Sequence, residues 1–187
     1  MNLPNKLTIL RLVFIPFYVF FVLTHFFKYT SVVAVIIYIA ACLTDLLDGK
    51  IARKKNLITD FGKFADPLAD KILVMSAMIC FVSLGKLPVW VCIIILAREF
   101  AVSGLRLIVA GKGVVLAAGI WGKFKTVFQM IMCILMTIDM ETLGASGGFL
   151  TFYNVFTTVI MYIALALTII SMIDYFYKNR KSISFKS

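Results

Sequence analysis

Six long apolar runs follow one another along this chain of 187 residues, at 8–27, 31–47, 64–84, 87–110, 124–138 and 149–173. Such a pattern leaves few folds open. In hydrocarbon every backbone N–H and C=O needs an internal partner, so only helices or closed barrels span a membrane. Runs near the ~20 residues of a spanning helix, rather than the roughly 9–11 of a tilted strand, select the helix. Hydrophobic residues make up 62% of the chain and charged ones 15%, with a mean hydropathy of +1.02; soluble domains carry about 25% charged residues. The expected fold class is an all-α integral membrane protein with six transmembrane helices. Short connections between the runs make residues 1–187 a single domain. The third run is uninterrupted only over 72–84, too short to cross alone, so its helix is expected to start near Phe64 and carry Asp66 and Asp70 at its entry.

The basic residues are sorted between alternate connections. Lys6, then Lys50, Arg53, Lys54, Lys55 and Lys63, then Lys112, Lys123 and Lys125, then Lys178, Arg180, Lys181 and Lys186 fall on one side; the other holds Lys28 and Lys86. Cytoplasmic loops are enriched in Lys and Arg, so both termini are expected in the cytoplasm, beneath the cell membrane. A net charge of +10 in so apolar a chain suits anionic lipid at the inner leaflet, and no aromatic-interleaved basic groove suggests a nucleic-acid reader. The first run is too long for a signal-peptide core and lacks a small-residue cleavage site, so it is expected to remain in the mature protein. Cys42, Cys80, Cys92 and Cys133 stand singly without metal or disulfide spacing and read as small buried hydrophobes. His25 reads the same way. Residues 119–123 read as part of a flexible inner loop with a Trp anchor, and 144–148 as a plain linker.

Ionisable residues at the ends of apolar helices are costly and point to a site. Asp45, Asp48, Gly49 and Ala52 recur at i, i+3, i+4 and i+7, which puts two carboxylates and two small residues on one helical face. Gly62, Asp66 and Asp70 recur at i, i+4 and i+8 on the next helix. Facing one another, the two helices would offer four carboxylates around a small polar pocket. Hard divalent cations such as Mg²⁺ favour oxygen ligands, often a few carboxylates completed by substrate phosphates. Two metals about 3.5–4 Å apart clamp a phosphoryl group during in-line displacement. The glycines would let a ligand or a backbone approach, and Arg53 and Lys54 would meet remaining phosphate charge. The plainer alternative, that the acids balance the neighbouring lysines, is opposed by their spacing and by the cost of charge at that depth.

The pattern Asp-x2-Asp-Gly-x2-Ala-Arg-x8-Gly-x3-Asp-x3-Asp, from Asp45 to Asp70, resembles the signature of the CDP-alcohol phosphotransferases at every position. The resemblance implies a six-helix membrane enzyme, homodimeric, that passes a phosphatidyl group from CDP-diacylglycerol to a hydroxyl with CMP leaving. It further implies two Mg²⁺ or Mn²⁺ ions held by Asp45, Asp48, Asp66 and Asp70, with Asp70 as general base. Asn5, Thr8, Gly49, Ala52, Arg53 and Gly62 would border the cytidine diphosphate, and the acyl chains would enter from the bilayer. Segments 4–11 and 97–106 are similar to the branch of that family whose acceptor is glycerol 3-phosphate. A phosphorylated acceptor needs cations beside the acids, and Arg106, Lys123, Lys125 and Arg11 are the expected partners.

Competing roles exist for several of these groups. Glu99 falls on nearly the same face as Arg106 and would neutralise an arginine, Arg98 and Glu99 would pair structurally, and Arg11 and Lys71 would snorkel to the interface. Among functions, another acceptor within the same family, phosphatidylglycerol included, is the near alternative. A divalent-cation transporter would place its acids at the midplane on broken helices, and a membrane prenyltransferase would need a longer chain.

Overall fold

A computed structural model describes residues 2–24, 26–54, 60–111 and 119–179, with side chains described throughout except at 3, 4, 46–54, 60, 61, 63, 64, 110 and 111. The described residues form six α-helices and no strand: α1 (Leu3–Leu23), α2 (Thr30–Lys54), α3 (Asp60–Ser83), α4 (Val89–Gly111), α5 (Ile120–Thr137) and α6 (Gly147–Asn179). Each apolar run corresponds to one of them, as the all-helical reading requires. By length and composition, Asn5–Leu23 and Gly147–Asn179 are able to cross a membrane, and Thr30–Asp45 is a shorter apolar stretch. His25 lies outside the described residues.

Two helix ends differ from expectation. Gly119, read as loop, supplies the carbonyl that accepts from the amides of Gly122 (3.1 Å) and Lys123 (3.3 Å), so α5 begins at Ile120 and carries Trp121 and Lys123 in its first turn. The reading of 144–148 as a linker holds only in part, because α6 begins at Gly147. Gly147 sits at φ +61° and Gly144 at φ +97°, backbone that a side chain would strain.

The molecule divides into two compact units. One comprises Met1–Leu87 and Cys133–Leu150, the other Pro88–Met132 and Thr151–Ser187.

In the first unit α1 packs against both α2 and α3. Its buried residues Thr8, Arg11, Ile15, Tyr18 and Val22 recur every three or four positions, one stripe of a helix. Opposite them lie Ala34, Tyr38 and Ala41 of α2 and Ala65, Ala69, Leu73 and Ala77 of α3, all buried. Small residues let helix backbones approach closely where no hydrophobic effect drives association. The Tyr18 and Tyr38 rings meet at 5.3 Å between centroids. Thr137 donates its hydroxyl to the Cys133 carbonyl (2.7 Å), so in the 2.9 Å contact between the two hydroxyls Tyr18 is the donor. At the far end of this unit the Lys86 ammonium donates to the Met136 carbonyl at 3.2 Å.

The second unit has its core on one face of α4, where Val91, Ile95, Arg98, Val102 and Val109 are buried, and on the α6 face carrying Ala164, Leu165, Thr168, Ser171 and Tyr175. Arg98 occupies a core register position. That placement forces polar partners into the core.

Candidate active site

Two of the acids, Asp45 and Asp66, meet the polar half of the α1 stripe. Asn5, Thr8 and Arg11 are buried, the latter two completely, one turn of helix apart on the face that continues as Ile15 and Tyr18. The Thr8 hydroxyl donates to Asp66 Oδ1 at 2.5 Å. Arg11 Nη1 lies 2.8 Å from Asp45 Oδ1, with the Arg11 side chain wholly buried and that of Asp45 about one-third exposed. One helix therefore reaches a carboxylate from each of its neighbours. Asp45 stands on α2 and Asp66 and Asp70 on α3, two helices that contact each other as well as α1. Gly62, one turn before Asp66 on α3, is buried like Ala65 and Ala69.

The expectation that two acidic helices simply face each other is thus amended: α1 engages both. The snorkelling role for Arg11 is overturned, since its guanidinium points inward to Asp45 instead of outward to the interface. A buried guanidinium is tolerable only against a counter-charge, and Asp45 is near enough to provide it. Lys71, by contrast, is not buried, and its ammonium donates to the Pro67 carbonyl at 3.2 Å.

The acids fit a hard divalent cation in chemistry, being oxygen donors throughout, and the buried Arg11 marks Asp45 as a carboxylate already answered by positive charge. Among the described residues no group of three or more His, Cys, Asp or Glu side chains is arranged to hold a metal ion. Asp48, Gly49, Ala52 and Arg53 belong to the last turns of α2; the side chains of Asp48, Ala52 and Arg53, and the surroundings of Gly49, lie outside the described residues.

The second unit holds the expected phosphate partners in different circumstances. Glu99 accepts from Lys125 of α5 and from Arg98 Nη1 at 3.2 Å, and Arg98 Nη2 donates to Ser171 Oγ at 3.1 Å. Glu99 pairs with Arg98 and Lys125 rather than with Arg106. Arg106 instead sits over the Tyr175 ring, 5.7 Å from its centroid, a cation–π contact. Arg106 and Lys123 are exposed while Lys125 is buried. Ser171 and Tyr175 carried no sequence signal, because each acts on a residue of another helix; the Asp174–Lys178 pair, at i and i+4, was readable from spacing alone. Gly119 is a close approach too: a Cβ there would lie 3.1 Å from Asp174 Oδ2.

The CDP-diacylglycerol–glycerol-3-phosphate 3-phosphatidyltransferase of Bacillus subtilis is 38% identical over 192 aligned positions, covering 95% of each chain. The probable phosphatidylglycerophosphate synthase of Mycobacterium tuberculosis is 42% identical over 180 positions, 93% of this chain and 79% of that protein. The protein of Haemophilus influenzae with the same name as the Bacillus one is 37% identical over 185 positions, 93% of this chain and 91% of its own. Residues 1–170 match the CDP-alcohol phosphatidyltransferases, a span that takes in Asn5 to Arg11, Asp45 to Asp70 and Arg98 to Lys125. The chain belongs to the CDP-alcohol phosphatidyltransferase family.

Proposed function

We propose that this protein transfers the phosphatidyl group of CDP-diacylglycerol to glycerol 3-phosphate, giving phosphatidylglycerophosphate and CMP. The observation that carries the reading is the convergence of Asp45 and Asp66 on one buried polar stripe of α1. The names of relatives that align over 91–95% of their own length support the acceptor.

In this reading a hydroxyl oxygen of glycerol 3-phosphate attacks the phosphorus esterified to diacylglycerol. The P–O bond to the cytidine monophosphate breaks, and the hydroxyl proton passes to Asp70. A general base must lie within reach of that proton and contributes about 10²–10⁴-fold. Asn5, Thr8, Gly49, Ala52, Arg53 and Gly62 border the cytidine diphosphate. Mg²⁺ or Mn²⁺ held by Asp45, Asp48, Asp66 and Asp70 would neutralise charge on the diphosphate. Arg106 and Lys123, exposed near helix ends, are suited to the acceptor phosphate; Lys125 and Arg11 are engaged by Glu99 and Asp45 and serve that phosphate less directly. The enzyme is a multi-pass protein of the cell membrane, homodimeric, with both termini and the acids on the cytoplasmic side. The sorting of Lys and Arg supports that orientation.

The test is to offer the purified protein CDP-diacylglycerol and Mg²⁺ with glycerol 3-phosphate, serine, inositol 1-phosphate or phosphatidylglycerol in turn, measuring CMP and the lipid formed. CMP release with glycerol 3-phosphate alone is expected. Release with another acceptor would move the protein to a different branch of the family. Silence with all four, together with divalent-cation flux in proteoliposomes, would replace the enzyme reading by a transporter.

A further inference from the structure

We propose that Arg11 is a built-in counter-ion for Asp45, holding in the metal-free protein the place in the charge balance that a divalent cation takes on binding. The inference rests on the metal-dependent reading above and concerns a residue of α1, outside the acidic signature. Arg11 is completely buried on the face that carries Thr8 and Ile15, and its Nη1 stands 2.8 Å from Asp45 Oδ1. The guanidinium, wholly buried, is the member of the pair that needs an opposite charge beside it. Arg11 supplies a positive charge beside that oxygen, on a buried side chain of a helix that packs against α2. Asp66, by comparison, receives a neutral hydroxyl from Thr8, so the two acids are supported differently: one by charge, one by a hydrogen bond.

The consequence is an antagonism between two cations. With Arg11 present, metal binding at Asp45 adds charge to a carboxylate already compensated and brings the ion close to a fixed guanidinium, which opposes it. With Arg11 removed, that positive charge is missing from beside Asp45 until metal arrives. Metal should therefore stabilise a protein lacking Arg11 more than it stabilises the parent.

The experiment measures thermal unfolding of the detergent-solubilised protein with and without saturating Mn²⁺, no lipid substrate being present. For Arg11→Met the metal-free midpoint is expected to fall and the Mn²⁺-induced rise to exceed that of the parent. Arg11→Lys, which keeps the charge, is expected to show the parental rise and serves if the Met variant does not fold. Asp45→Asn/Arg11→Met should lose the enlarged rise. A purely structural Arg11 would lower both midpoints equally, and an orienting one would shrink the rise; either result overturns the proposal. No Mn²⁺ response in the parent would overturn both this proposal and the metal-dependent reading. An enlarged rise without phosphatidyl transfer in the acceptor assay would leave the counter-ion standing and overturn the transferase reading alone.

Discussion

At the residue scale the site divides into acids whose grouping is local and partners whose grouping is not. Asp66 and Asp70 lie one turn apart on α3, and helical periodicity alone puts them on one face. Thr8 reaches Asp66 across 58 positions of sequence, and Arg11 reaches Asp45 across a helix boundary, so neither contact had any period to reveal it. The sequence offered Arg11 as a snorkelling residue or as a partner of the acceptor phosphate; the ion pair with Asp45 overturns the first of these. Asp70 carries the sharpest residue-level consequence. In the proposed reaction Asp70 takes the hydroxyl proton, so Asp70→Asn, which keeps the shape, should lower CMP release by about 10²–10⁴-fold while the protein remains folded by circular dichroism. Retention of more than roughly a tenth of the rate, far outside a general base's contribution, would remove Asp70 from that role.

At the scale of elements, α1 is the helix that organises the acids, although the signature residues all lie on α2 and α3. Its stripe changes from polar to apolar between Arg11 and Ile15, and the apolar part is pinned by Tyr18 against Tyr38 and Thr137. Ala69, fully buried between Asp66 and Leu73 on α3, is where α3 must stay thin. Ala69→Leu should destabilise the protein by about 1–3 kcal/mol through overpacking, read as a lower midpoint on titration with a denaturing detergent. It should also reduce transferase activity, because it moves the helix that carries Asp66 and Asp70. An unchanged midpoint would mean that this contact is slack. Helix boundaries were the least legible feature at this scale. Gly119 and Gly147 look like loop residues in sequence, yet the first caps α5 and the second opens α6, since a glycine signals freedom of backbone without saying which side of a helix end it occupies.

For the molecule as a whole, the proposed orientation rests on the sorting of Lys and Arg, and fusions test it. An alkaline phosphatase joined after Gly144, in the connection poor in Lys and Arg, should be active, and a fluorescent protein joined at the C-terminus should fluoresce. The reverse pattern would invert the assigned topology and carry the acids to the outside. The class of fold, the succession of six helices and the pairing of carboxylates along α2 and α3 were determined by the sequence itself, because hydropathy and helical period are properties of neighbouring residues. Tertiary structure alone decided which helix meets the acids, that Arg11 answers Asp45, that Thr8 answers Asp66, and that Glu99 takes Lys125 and Arg98 in preference to Arg106. A buried charge accepts whichever opposite charge the packing of helices brings within reach, and that is a matter of three-dimensional register that no periodicity along the chain encodes.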